Sequence, residues 1–389
     1  LPPKALPRLG QAFAQGIRDA LHAQGLVAVA STTTSFASPR RLAVRLSQVL
    51  ALAPEQSFVE KLMPVKVGID AQGLATPALQ KKLAAKGWSD MPVSALERES
   101  DGKQEYLVAR GTAPGAALAD VLQGAIEAAI AALPIPKVMS YQRPDGSTVQ
   151  FVRPVHGLIA LHGTDIVPIS ILGLNAGNQT LGHRFLSRQP QLTIASPEQY
   201  ADILEAQGKV IASVTARKEK IRSGLLAKAG ADQILMPESL LDEVTALVEW
   251  PAIYECNFDS AFLSVPQECL ILTMQTNQKY FALTDSAGKL RSRFLIVSNI
   301  VTEEPRHIIE GNQRVVRPRL SDAKFFFEQD QKKKLGDRLG GLASVVYHNK
   351  LGSQAERNAR IVTLAGSIAG AIACDVQLAQ RAALLSKAD

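Results

Sequence analysis

Several things are scarce in this sequence, and each scarcity removes a class of function. Only three cysteines occur in 389 residues, Cys256, Cys269 and Cys374. An odd number without short spacing makes neither a disulfide framework nor a C-x-x-C metal site, which fits a reducing cytoplasm. There is no G-x-x-x-x-G-K-[ST] phosphate loop and no G-x-G-x-x-G following a strand, so nothing here is built to activate a substrate with ATP by itself. Long apolar runs are missing as well. The best of them, IVTLAGSIAGAIAC, runs from Ile361 to Cys374 and is followed by Asp375. A membrane span needs about twenty apolar residues, so the GSIAG spacing is expected to let two soluble helices pack closely instead. The opening LPPKALPRLG has prolines and cations where a signal peptide would have an apolar core. The absent initiator Met, and a last residue, Asp389, that falls inside an apolar-periodic helix, are expected of a piece of a longer protein.

What is present is a local excess of positive charge. Lys plus Arg outnumber Asp plus Glu by 43 to 36. From Arg306 to Arg360 there are twelve basic and six acidic residues, so this stretch carries nearly all of the net +7. Several cations on one face suit a phosphate-bearing partner, and a solvated helical surface accounts for the same pattern. Within the stretch, GNQRVVRPRLSDAKFFFEQDQKKK sets Arg314, Arg317, Arg319 and Lys324 directly ahead of Phe325, Phe326 and Phe327. Three consecutive residues of a helix spread over roughly 200°, so at least one phenylalanine must pack inward. Pro318 is expected to break the helix, leaving the three arginines on a loop from which they can grip phosphates bidentately. An internal network of those arginines with Asp322, Glu328 and Asp330 is the alternative, and base stacking on an exposed phenylalanine is a further one.

Periodicity divides the rest. PRLGQAFAQGIRDALHAQGL reads as a helix, and RRLAVRLSQVLAL as a strand with Leu42, Val44 and Leu46 on one side. From about Glu55 to Pro134 the helix PALQKKLAAKGW, the strand EYLVARG and the alanine-rich helix GAALADVLQGAIEAAIAAL suggest a small α+β unit closed by the prolines of LPIPK. After Tyr141 the texture is β-rich, interrupted by one long helix from Ser196 to Gly230, with Ser196 as its cap and Pro197 in its first turn. From Gln331 onward no strand signal remains. These observations predict an α+β multidomain chain with segments 1–60, 61–140, 141–330 and 331–389, the first three mixed α/β and the last all-helical.

Candidate chemistry is thin outside the basic stretch. His156 and His162 lie six apart in PVHGLIALHG, too far to share a metal unless the strand bends, and read as histidines at strand ends. His183 precedes Arg184 in TLGHRFLS, which suits an anion-binding loop or a plain turn. Asp242, Glu243 and Glu249 in LLDEVTALVEWP are explained by a solvated helix that ends at Pro251. His348 is placed on a helix with Lys350, Arg357 and Arg360, and Tyr347, Lys350, Gln354 and Arg357 then share one face. Such a face suits a phosphate backbone, and a merely solvated face has the same spacing.

The runs LPPKALPRL, SFASPRRLAVRL, FVRPVHGLIALHG, TLGHRF, LLDEVTALVEWP, FLSVPQE, TMQTNQKYF, IIEGNQRVVRPRLSDAKFFFEQD and VVYHNKLGSQAER, spread in order from Leu1 to Arg357, resemble the bacterial glycyl-tRNA synthetase beta subunits. The resemblance implies an enzyme of two alpha and two beta chains in the cytoplasm, a glycine–tRNA ligase in which alpha holds the class II site that makes glycyl-adenylate from glycine, ATP and magnesium. The beta chain then contributes tRNA binding and supports transfer, holds no cofactor or metal of its own, and touches neither DNA nor membrane. The tRNA-Gly acceptor region would meet Arg314, Arg317, Arg319, Lys324, His348, Lys350, Arg357 and Arg360. Assembly on alpha alone, or an HD-type phosphohydrolase, are the other roles considered.

The anticodon-binding domain of the family would lie beyond Asp389. Segment 141–330 resembles the editing-type domain of the phenylalanyl-tRNA synthetase beta chain; editing is not carried over, because a site for the smallest amino acid rejects larger ones by sterics. Segment 331–389 resembles the start of an HD-like domain, truncated here. His348 matches its first histidine, and Ser386 and Lys387 stand where the His-Asp doublet would be, which predicts RNA contact without metal. Two residues depart from the family strings. Gly157 replaces a common Trp, which puts stacking there in doubt, and Gln313 replaces a frequent Glu.

Overall fold

Apolar residues at helical spacing along Leu6–Ala23 give helix α1 one buried stripe, Leu6, Leu9, Ala14, Ile17 and Leu21. The computed structural model that shows this describes every residue except Asp101, Pro136 and Asp389, and the side chains of all of these but Gln56 and Ala113. Helices in chain order are α1, α2 (Val65–Gly68), α3 (Pro77–Ala85), α4 (Leu118–Ala131), α5 (Tyr200–Ala206), α6 (Val214–Ala229), α7 (Glu238–Thr245), α8 (Gln267–Gln278), α9 (Arg306–Gln331), α10 (Gln354–Ala371) and α11 (Val376–Leu385). Small antiparallel sheets alternate with them, so the chain is mixed α/β. No helix among the described residues is long and apolar enough to cross a membrane.

Contacts gather into two compact units. The first holds Leu1–Gly224, Leu241–Ala252 and Val297–Val301; the second holds Leu225–Leu240, Ile253–Ile296 and Thr302–Asp389.

In the first unit α1 packs on α4, with Ile17 and Leu21 against Leu118, Ile126 and Ala129. The approach is close because position 16 is glycine: a Cβ there would stand 3.1 Å from that of Ala129. Of the strand expected over 40–52, Arg41–Leu46 forms and pairs in full register with Thr33–Ser38. Of the elements expected between Glu55 and Pro134, α3 lies on a three-stranded sheet of Gln56–Pro64, Glu105–Ala113 and Leu96–Ser100, around Leu62, Leu79, Leu83 and Leu107, whereas the alanine-rich α4 packs on α1 and not with them. Of its closing prolines, Pro136 lies outside the described residues. The single long helix expected from Ser196 is not observed. A 3-10 turn at Pro197–Gln199 leads into α5, the chain breaks at 207–213, and α6 follows. Ser196 makes no side-chain cap to that turn's backbone. Burial overrides helix propensity here, since Val210, Ile211 and Ala212 are withdrawn into the core outside any helix.

The core of the second unit is a sheet ordered Gln233–Ile234, Phe281–Thr284, Leu290–Ser298, Ala252–Asn257. Phe281 pairs with Leu295 and Ala282 with Phe294. Phe294, Leu270, Met274, Cys256 and Tyr280 fill the space below α8 and α9. Burial pushes the Cys256 thiol up to about 12, as it does the Tyr280 phenol, whose ring stacks on Phe294 at 4.8 Å. Further along, α10 meets α11 at Gly366, where a Cβ would be 2.4 Å from the Gln380 amide nitrogen. That close contact is the one the GSIAG spacing predicted.

Candidate nucleic-acid interface

Helix α9 runs unbroken through Pro318, so the arginines are on a helix and not on the loop expected from the proline. Proline removes one i→i−4 bond and crowds the preceding turn, a cost of about 3 kcal/mol. Burial offsets it: Val316 and Leu320 are sealed against the sheet, and Ile309, Ala323 and Phe327 pack beside them. Polar ties hold the same helix. The Tyr280 hydroxyl donates to Asn312 Oδ1 at 2.7 Å, and the Asn257 backbone N–H donates to Gln313 Oε1 at 2.8 Å. Gln313, singled out for lacking a negative charge, is thus an anchor of the helix.

With that inward stripe fixed, at about 100° per residue the outward positions follow. Arg314 and Phe325 point away from the sheet, Arg317 and Lys324 lie on one flank, and Arg319 and Phe326 on the other. One of the three phenylalanines packs inward, as the geometry requires, and it is Phe327. Phe325 and Phe326 remain 55% and 64% exposed, with ring centroids 5.5 Å apart in an edge-on pair.

The internal acidic network does not claim the arginines. Glu328 reaches Lys324 at 3.8 Å and Asp330 pairs with Arg338 at 3.0 Å. Arg314, Arg317 and Arg319 are exposed and make no ion pair among the described residues.

The second group of expected residues is arranged differently from the helical face foreseen. Val346–His348 and Gly352–Ser353 form a short antiparallel hairpin, with His348 opposite Gly352, so the chain after Gln331 is not all-helical. His348 Nδ1 accepts the Lys350 backbone N–H at 3.2 Å, closing the turn, and Gly352 sits at φ +88. Two β-branched residues, Val345 and Val346, just ahead of that glycine favour the strand over a helix. Helix α10 starts only at Gln354, with Ser353 and Glu356 forming a capping box.

Proximity survives this change of structure. The Arg357 guanidinium lies over the Tyr347 ring at 4.2 Å, and Arg360 donates to the Leu351 carbonyl at 3.2 Å. His348, Lys350 and Arg360 are exposed around the hairpin. Among the described residues no group of three or more His, Cys, Asp or Glu is arranged to hold a metal ion.

Other residues weighed in the sequence fall elsewhere. His156 is exposed in a segment without strand, and His162 Nε2 lies 2.8 Å from the Val49 carbonyl. His183 serves a turn: its buried ring accepts backbone N–H groups of Phe185 and Leu186 at Nδ1. Glu249 is not on a solvated helix. It lies beyond the end of α7, buried, and takes hydrogen bonds at 2.5 Å from both Arg41 and Ser38. Its place three residues before a strand gave no periodicity to read.

A feature the sequence did not disclose is Arg217, wholly buried in α6. Its guanidinium donates to the carbonyls of Thr245, Ile211 and Ala37 at 2.9, 2.5 and 2.9 Å. Burial lowers it to about 10 while Glu249 acts in the opposite direction, so it stays charged at neutral pH.

The sequence profile described as "Glycyl-tRNA synthetase beta subunit" matches residues 1–389. Among curated relatives, the Glycine--tRNA ligase beta subunit of Ralstonia nicotianae is 58% identical over 393 residues, covering all of this chain and 56% of that protein. The proteins of the same name from Janthinobacterium and Dechloromonas aromatica are 54% and 52% identical, again over all of this chain and 56% and 57% of their own length. The chain spans little more than half the length of the curated relatives it matches. With every residue covered at this level of identity, the chain belongs to the glycyl-tRNA synthetase beta subunit family.

Proposed function

We propose that this chain is the tRNA-binding part of a glycine–tRNA ligase, meeting the acceptor region of tRNA-Gly through α9 and the 346–353 hairpin. Glycyl transfer then takes place at a class II site on a separate alpha subunit, in an assembly of two alpha and two beta chains in the cytoplasm. ATP and magnesium belong to that alpha site.

The observation that carries the reading is that Arg314, Arg317 and Arg319 are exposed and have no ion-pair partner among the described residues, on a helix locked to a sheet. Guanidinium groups without carboxylate partners are free to make bidentate contacts to phosphate, and a rigid helix fixes their spacing. Lys350, Arg360 and the Tyr347–Arg357 stack extend the same character to the hairpin. A-form RNA is recognised through shape, phosphates and hydroxyls, which this arrangement suits. In this reading α10 and α11 begin an HD-like module that contacts RNA instead of holding metal, with Lys387, exposed after α11, as its cation.

The test is the affinity of the chain for tRNA-Gly over a salt series, with a non-cognate tRNA alongside and alpha absent. Binding that weakens steeply with salt is expected, and replacing Arg317 and Arg319 by Ala should lower the slope of log K against log salt by about 1.5 to 2. Salt-insensitive binding, or an unchanged slope in the double variant, counts against these residues. No binding even at low salt would make the chain an assembly scaffold for alpha.

A further inference from the structure

A second set of cations lies in the first unit, around Trp250. Lys220 Nζ stands 4.0 Å and Lys209 Nζ 5.2 Å from the centre of the indole ring, so the two ammonium groups are within about 9 Å of each other. Neither has a carboxylate partner among the described residues. Within one helix turn of α6 the neighbouring cations are used up: Arg217 is spent on buried carbonyls and Lys218 pairs with Asp242 at 2.5 Å. Of the carboxylates nearest in sequence, Glu219 reaches Arg222 and Glu205 is exposed on α5.

Lys209 is held there at a cost. It has φ +53, a left-handed conformation that favours glycine, directly after Gly208. Trp250 is equally fixed, since its backbone N–H donates to Asn299 Oδ1 at 3.1 Å and the preceding Glu249 is locked to Arg41.

The turn 181–188 adjoins this group. Arg41 donates to the Leu181 carbonyl as well as to Glu249, and the His183 backbone N–H donates to the Gly208 carbonyl at 2.6 Å. That turn displays Arg184 next to Phe185, the latter 68% exposed. The corner is rich in donors and poor in acceptors. Because His183 Nδ1 accepts two backbone N–H groups, its proton is on Nε2, and Nε2 and Arg41 Nε are both buried without an acceptor among the described residues. The buried carboxylate of Glu249 is already shared by Arg41 and Ser38.

We infer that Lys209, Lys220 and Arg184, set around Trp250 and the 181–188 turn, bind phosphates of the tRNA backbone as a contact separate from the α9 surface. An acceptor-rich polyanion is what such a surplus of positioned donors recognises. The inference rests on the RNA-binding reading above.

The test compares the full chain with its Lys209→Gln/Lys220→Gln variant in binding tRNA-Gly across a salt series. A charge-matched Lys66→Gln/Lys81→Gln variant is the control. The slope should fall by roughly 1.5 and the affinity at 0.15 M salt by about tenfold in the first variant, with little change in the control. Lys209→Gly separates binding from folding: it relieves the left-handed backbone, so its Tm should hold or rise while RNA binding weakens. In a Trp88→Phe background, emission of Trp250 excited at 295 nm should change on adding tRNA, as phosphates draw the lysines off the indole.

A steep parent slope left intact by Lys209→Gln/Lys220→Gln would overturn the inference and leave the α9 reading standing. A parent without salt-dependent binding overturns both. Unchanged RNA affinity together with weakened alpha binding would make the patch a protein interface, and the inference would fall.

Discussion

Arg217 in the first unit and Arg317 in the second carry the same guanidinium on helices of the same chain, yet they meet opposite fates. Arg217 has every exit blocked and five backbone carbonyls at hydrogen-bond distance. Arg317 stands in water with no ion pair among the described residues. A buried guanidinium must be satisfied internally or it costs several kcal/mol, so its donors are committed to the fold. An exposed one loses nothing by waiting, and its donors remain available to a ligand. Net charge therefore says less about an RNA surface than the list of arginines with nothing to hold.

Glu249 is the buried carboxylate beside these committed donors. Glu249→Ala leaves Arg41 without its carboxylate and removes the negative charge that acts on buried Arg217, and a loss of about 3–5 kcal/mol in urea unfolding is expected. Adding Arg41→Met to that variant should recover part of the loss, because the unpaired charge goes with the side chain. A loss under about 1 kcal/mol for Glu249→Ala would show that the buried pair is not structural.

Phe327 offers the same contrast within three residues. Truncating it to Ala should cost roughly 2–3 kcal/mol, since it packs on the sheet under α9. Phe325→Ala and Phe326→Ala should each stay within about 0.5–1 kcal/mol, as both rings are largely in water. Equal effects at all three positions would mean that α9 is rotated from the face described.

How much of this the sequence disclosed depends on where the physics is local. Periodic apolar stripes made α1, α3 and α4 legible, and alternation made the strands Arg41–Leu46 and Glu105–Ala113 legible. Pro318 misled because its penalty is local while the offset, burial of Val316 and Leu320 on a sheet formed by residues far away in sequence, is not. The hairpin at 346–353 was hidden by flanking helices, although Gly352 and the paired valines carried its signal. Arg217 and Glu249 gave no sign at all, since a charged residue in a helix or just before a strand is read as solvated until its partners are known. The cations of the candidate interface were identified by composition, but which of them are unpaired is a fact of tertiary structure.

Removing the exposed arginines is expected to do little to the fold. Arg314→Gln, Arg317→Gln and Arg319→Gln should each shift unfolding free energy by no more than about 0.5 kcal/mol. The triple variant should keep the Tm of the parent while its affinity for polyanions falls. A large drop in Tm would mean that these side chains are holding something together, and the contrast with Arg217 would disappear.

The smallest effect concerns a charge of the second unit that does serve the fold while exposed. The Ser353 backbone N–H donates to Glu356 Oε2 at 2.6 Å and the Ser353 hydroxyl at 3.1 Å, and with Arg360 nearby they hold the Glu356 carboxyl below its usual range. A carboxyl whose folded pKa is depressed stabilises above its unfolded value, near 4.3, and loses that contribution as pH falls through the lower folded value. On acidification the start of α10 should therefore fray before the sheet does. Proton exchange at the Ser353 and Glu356 amides reports this, the second because it donates to the Ser353 hydroxyl. Protection at these two amides should fall as pH drops below the unfolded value and through the lower folded one, while that of Phe294 in the sheet persists. In Glu356→Gln the pH dependence should vanish, because glutamine can accept the same hydrogen bonds without titrating; if it persists there, the carboxylate is not what caps the helix in the acid range.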